Sequence, residues 1–140
     1  MNRIYFDYSA STPLDDSVLE RMLPYLRENF GNASSVHSAG REAHVAIDHA
    51  REQVAGVLSA SPAEIVFTSG GTEADNLAIF GIAENHAEPR HMITSAIEHP
   101  AVLNACKALE CKGWQLTYAM PDESGIINAD KISREILPTT

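Results

Sequence analysis

The segment Phe67-Thr68-Ser69-Gly70-Gly71-Thr72-Glu73 has the make-up of an anion cradle. A β-rich run enters two glycines and leaves into a helical pattern, so several backbone N–H groups at the helix start lack an intrahelical acceptor. Gly70 and Gly71 allow a ligand close to the backbone, Thr72 adds a hydroxyl donor, and the helix dipole places positive potential where an anion would sit. Phosphate is the natural ligand of such a turn, although the same spacing also suits an ordinary tight strand-to-helix connection. Neither G-x-x-x-x-G-K-[ST] nor G-x-G-x-x-G is present, which sets aside a Walker loop and a dinucleotide fingerprint.

A second segment, Thr94-Ser95-Ala96-Ile97-Glu98-His99-Pro100, puts His99 between the end of one strand and the start of the next helix. Ligands of open parallel sheets gather outside the carboxyl ends of the strands. The Gly71–Thr72 turn and His99 are therefore expected on one sheet edge, an anion cradle and a flat titratable ring that together suit a phosphorylated aromatic cofactor. Taken alone, His99 equally fits a capping or hydrogen-bonded structural role. His37, His44, His49, His86 and His91 lack ligand spacing such as H-x-x-x-H, so no metal site is expected. Cys106 and Cys111 match no C-x-x-C motif and read as reduced packing residues.

The elements that must position these residues alternate between short β-rich runs and amphipathic helices, the pattern of an α/β fold with a mostly parallel sheet and crossover helices. Strands are expected at Ile4–Asp7, Glu64–Thr68, His91–Ser95 and Gln115–Ala119. Helices are expected at about Ser17–Asn29 with Asp15 or Asp16 as N-cap, Val36–Ser59, Thr72–His86, one opening at Pro100, and Ala129–Ile136. In the second, the recurrence of Ala43, Ala46, Ile47, Ala50, Val54, Val57 and Leu58 predicts a single buried stripe. Ser61-Pro62-Ala63-Glu64 has capping-box spacing for one short turn.

With 140 residues, 44% apolar and 21% charged, the chain is long enough for a packed domain. Its formal charge of −9 and lack of a Lys/Arg cluster argue against direct nucleic-acid binding. It has no apolar run of membrane-spanning length and no secretory leader pattern at Met1–Asp7, so no membrane association and a cytoplasmic location are expected.

Five ordered segments carry a resemblance: Tyr5-Phe6-Asp7-Tyr8-Ser9-Ala10-Ser11-Thr12-Pro13, Phe30-Gly31-Asn32, Ser35-Val36-His37, Glu64 to Glu73, and Glu98-His99-Pro100-Ala101-Val102-Leu103. Together they resemble the NifS/IscS-type cysteine desulfurases within the class V aminotransferases, over the whole chain. The resemblance implies a type I pyridoxal-phosphate fold, of which residues 1–140 would be the N-terminal segment and first part of the large cofactor-binding domain. It implies pyridoxal 5'-phosphate as cofactor, with Gly71 and Thr72 on its phosphate, and His99 stacked on its ring as a catalytic proton shuttle. It places Ala10, Ser11, Thr12, Asn32 and His37 on the substrate side. Ala33, where many relatives have proline, is a departure expected to loosen that loop.

By the same resemblance the substrate is L-cysteine, whose sulfur passes to an enzyme cysteine as persulfide, leaving alanine. The sulfur then serves iron–sulfur clusters or tRNA thiolation. The intact family forms homodimers and meets sulfur-acceptor or scaffold proteins. The family's cofactor-holding lysine follows a histidine in a Ser-x-His-Lys segment, which these residues do not contain; Lys107, Lys112 and Lys131 lie in other contexts. The acid that pairs with the pyridine nitrogen and the sulfur-accepting cysteine belong to later parts of the family's sequence. The 140 residues alone are thus expected to be inactive on cysteine, and to expose apolar helix faces and an unpaired sheet edge. Alternatives are a selenocysteine lyase or another class V enzyme, or a non-catalytic interaction module.

Overall fold

The computed structural model describes residues 4–140. They form two compact units, which divide between Val66 and Phe67.

The first unit carries helices α1 (Asp16–Arg27) and α2 (Ser38–Leu58) and a 3-10 turn at Pro62–Glu64. Asp15 starts α1 by accepting from the Ser17 N–H at 2.9 Å and from its hydroxyl. These hydrogen bonds hold the Asp15 carboxyl below its ordinary range. The capping box at Ser61 and Glu64 is complete, with the Ser61 N–H donating to Glu64 at 2.7 Å.

Two expected strands do not form. Residues 4–7 stay irregular and lead into a turn at 8–10, closed where Asp7 O accepts from Ala10 N–H at 3.1 Å and from Ser11 N–H at 3.3 Å. Among its described residues this unit has no strand to pair with. Ile65 is extended (φ −97°, ψ 122°), but its carbonyl accepts from the Arg51 guanidinium at 2.8 Å and enters no ladder. Alternating apolar residues make a run fit for a sheet; a strand also needs a partner of matching register.

The expected stripe on α2 is only partly buried. Gly40, Ala43 and Ala55 are enclosed and Ala46 and Ala50 half-enclosed, whereas Ile47, Val54, Val57 and Leu58 are exposed. Small residues face the interior here, and the larger ones point where no described residue of the unit covers them.

The second unit follows the expected order closely: α3 (Gly71–Glu84), β1 (His91–Ser95), α4 (Pro100–Glu110), β2 (Gln115–Ala119) and α5 (Ala129–Glu135). β1 and β2 pair in parallel, with His91 opposite Gln115 and Ser95 opposite Ala119. The connection between them is α4, as parallel pairing requires. Ala101, Ala105, Cys106 and Leu109 recur along one face of α4 and are its buried residues. This face forms the core, Cys106 and Leu109 being 1% exposed. α4 packs against α3 and β2. Cys106 is the packing thiol expected, and burial pushes its pKa up. Cys111 instead is exposed, because it lies past the end of α4, at its C-cap.

Among the described residues no helix is long and apolar enough to cross a membrane, and no three His, Cys, Asp or Glu side chains cluster as metal ligands.

Candidate functional site

Gly71 and Thr72 are the first two residues of α3, and Gly70 is its N-cap without a side-chain cap. The first internal bond of the helix runs from Ala74 N–H to Gly70 O at 3.1 Å. The N–H groups of Gly70, Gly71, Thr72 and Glu73 have no acceptor among the described residues. A Cβ placed on Gly70 or Gly71 would meet nothing within 4 Å, so the side-chain direction of each glycine is open. Gly70 is extended (φ 164°), a conformation open to any residue. Its usefulness is therefore the bare approach to the backbone, not an unusual dihedral.

The turn is tied down from both sides. Thr68 Oγ1 donates to Gly70 O at 3.2 Å. Glu73 accepts from the Ser69 N–H at 2.7 Å and the Ser69 hydroxyl at 2.5 Å. These bonds lower the Glu73 pKa, the hydroxyl bond being the stronger cause. Sequence reasoning overlooked this pair: a glutamate three residues after an N-cap is a recognisable capping signal, but its ordinary partner is the N-cap residue, here Gly70, and not Ser69.

His99 is the N-cap of α4. Its Nδ1 accepts from Ala101 N–H at 3.1 Å, with Pro100 at the first helical position. Both readings of this residue meet in one geometry: the ring caps a helix and yet remains exposed. The bond on Nδ1 orients the imidazole and, in the neutral ring, leaves the proton on Nε2. Gly71, Thr72 and His99 thus begin two helices, α3 and α4, that pack together within one unit.

Ala10, Ser11, Thr12, Asn32 and His37 belong to the other unit. Ser11 Oγ is 2.8 Å from the Tyr5 hydroxyl. Asn32 Oδ1 accepts from Ser34 N–H at 2.9 Å and Asn32 O from Ser35 N–H at 2.9 Å. His37 caps α2 through Nδ1, which accepts from Gly40 N–H at 3.3 Å. The segment 32–37 is held against α2 by bare backbone: a Cβ on Gly40 would lie 2.2 Å from Ser35 O, and one on Gly31 2.2 Å from Ala39 O.

A match to the family described as Aminotransferase class-V spans residues 4–140. The chain belongs to the class V aminotransferase family. It is 48% identical over 139 residues to the cysteine desulfurase IscS of Methylococcus capsulatus, covering 98% of this chain and 34% of that protein. Among solved structures, a NifS-like protein superposes with a TM-score of 0.92 at 41% identity, over 99% of this chain and 38% of that one. A second, SspA in complex with cysteine, gives 0.90 at 47% identity, over 97% and 40%. The resemblance of the five segments is thus borne out, and the α/β fold with its parallel strands is the fold of these proteins. The chain spans about a third of the length of the curated relatives it matches.

Proposed function

We propose that these residues form the phosphate and ring-face part of the pyridoxal-phosphate site of a cysteine desulfurase. The observation that carries this reading is the set of four unclaimed N–H donors at Gly70–Glu73, two of them on glycines with open space where a side chain would stand. A phosphate monoester is the complementary group: a dianion with several acceptor oxygens, at a helix N-terminus of favourable potential. Gly71 and Thr72 bind it through backbone N–H groups, and the Thr72 hydroxyl adds a donor. His99 covers the ring face, held by its bond to Ala101, and its Nε2 is the atom that gives or takes a proton.

When bound, pyridoxal phosphate supplies an electron sink that the side chains lack. The substrate is L-cysteine, and the loops at Ala10, Ser11, Thr12, Asn32 and His37 line its side of the pocket in the intact enzyme. That enzyme is a cytoplasmic homodimer passing sulfur to an acceptor protein. The names of the relatives support the substrate, and the solved relative holding cysteine supports it further. The 140 residues contain no His-Lys pair. They hold the phosphate and ring face but not the aldehyde, so by themselves they leave cysteine unchanged.

The test is calorimetric titration of the chain with pyridoxal phosphate and with pyridoxal. Tighter binding of the phosphorylated form is expected, and Thr72→Val should reduce that advantage. Equal affinity for the two forms would sink the phosphate assignment. Release of alanine from cysteine by the purified chain and cofactor would refute the inactivity.

A further inference from the structure

Glu73 is the third residue of α3, where a glutamate ordinarily turns back to the N–H of the N-cap residue. Glu64 does so to Ser61 at the 3-10 turn. Glu73 does not. Its carboxylate accepts instead from Ser69, one residue earlier, from the N–H at 2.7 Å and the hydroxyl at 2.5 Å, both on Oε2.

This displacement by one residue has two physical consequences. Both donors of Ser69 converge on a single oxygen, which fixes the residue leading into glycines that have no side chain with which to fix themselves. The carboxylate is also kept off the Gly70 N–H, which stays open together with those of Gly71, Thr72 and Glu73. A carboxylate that capped Gly70 in the ordinary way would claim one of the anion's donors and bring a like charge against it.

We propose that Glu73 is a positioning residue for the phosphate turn: clamped to Ser69, it holds the glycine N–H groups open toward a phosphate monoester, while Ser69 keeps the carboxylate out of the anion's place. The proposal rests on the phosphate reading above. It also has a sign of its own. A negative charge that merely stood near the site would weaken anion binding, so its removal would tighten it; removal of a positioning residue weakens it.

The experiment compares the full 140-residue chain with Glu73→Ala, Glu73→Gln and Ser69→Ala. Each is titrated with pyridoxal phosphate and with pyridoxal, and the ratio of the two dissociation constants isolates the phosphate contribution. Glu73→Ala is expected to shrink that ratio about tenfold, the scale of one lost charge-assisted hydrogen bond. Glu73→Gln keeps an acceptor for the Ser69 N–H and should stay within about threefold of the parent, as expected for a neutral hydrogen bond in its place. Ser69→Ala should weaken phosphate binding as well. Amide exchange at Ser69 supplies an independent readout, slow in the parent and fast in Glu73→Ala.

An unchanged or larger ratio in Glu73→Ala, with the parent binding phosphate, overturns the positioning role alone. A parent without any phosphate advantage overturns the reading of the turn and the inference with it. Should Glu73→Ala lose its circular-dichroism helix signal, Ser69→Ala decides, and a ratio equal to the parent's overturns the proposal.

Discussion

The same substitution at two glycines of α2 should have opposite effects. Gly40 and Gly56 both lie within Ser38–Leu58, and intrinsic helix propensity favours alanine at each by about 0.8–1.0 kcal/mol. At Gly56 a Cβ meets nothing within 4 Å, so Gly56→Ala should stabilise by about 0.5–1 kcal/mol. At Gly40 the Cβ would fall 2.2 Å from Ser35 O, 2.7 Å from Ser35 Cβ and 2.8 Å from Asn32 O. Two of these atoms are backbone, and relieving the overlap requires the loop to move by about 1 Å, an overpacking cost of about 1–3 kcal/mol. That movement also strains the Ser35 N–H to Asn32 O bond, worth about 1 kcal/mol. Set against the propensity gain, Gly40→Ala should destabilise by about 1–3 kcal/mol net. Urea unfolding followed by helix circular dichroism reads both. With a slope of about 1–3 kcal/mol per molar urea, the two midpoints should lie on opposite sides of the parent's and about 0.5–4 M apart. A Gly40→Ala chain as stable as Gly56→Ala would refute the close approach of the 32–35 loop to α2.

Tyr118 should titrate late. Burial first, and then its hydrogen bond to the Glu110 carboxylate at 3.0 Å, push its pKa up to about 12. Since the folded value lies above the unfolded value of 10.0, its contribution to stability is complete below the unfolded value and is lost as pH rises through about 12. A tyrosinate absorbance titration should show a late step that Tyr118→Phe removes; an unchanged curve would contradict the burial. His91, 3% exposed, bonds to Thr140 Oγ1 at 2.7 Å through Nδ1 and to Thr117 Oγ1 at 2.9 Å through Nε2. Replacing it by leucine removes both bonds and leaves the half-buried Thr117 hydroxyl without its partner, while Thr140 Oγ1 still accepts from Leu137 N–H at 2.8 Å; the change should destabilise by about 1–3 kcal/mol. Urea unfolding checks this, and a stability equal to the parent's would show that the Thr117 hydroxyl finds another partner.

How much was legible in the sequence varied with the range of the interaction involved. Caps and turns are decided within a few residues, so an N-cap at Asp15 or Asp16, the Ser61–Glu64 box and the Pro100 helix start could be read from residue types alone, and the structure chose Asp15. The order from α3 to β2 was equally legible, since β1 and β2 each fall beside a helix of clear amphipathic period and the two strands satisfy one another. The anion cradle was legible because it depends on glycines, a hydroxyl and a helix start, all contiguous.

In the first unit, strand formation and burial were not legible, because each depends on a partner distant in sequence. Residues 4–7 and 64–68 have strand composition, but the Asp7 carbonyl closes a turn and the Ile65 carbonyl is taken by Arg51. The apolar period of α2 was real, but a period names a face without naming what covers it, and Val57 remains 86% exposed. The Ser69–Glu73 bond likewise depends on the fold: the sequence places a glutamate within reach of both Ser69 and Gly70, and only the folded path of the turn decides which of them it meets. The residue types determined which groups were available to bind phosphate; the tertiary structure decided which N–H groups stayed open to it, because hydrogen bonds are directional and a donor already claimed is lost to the ligand.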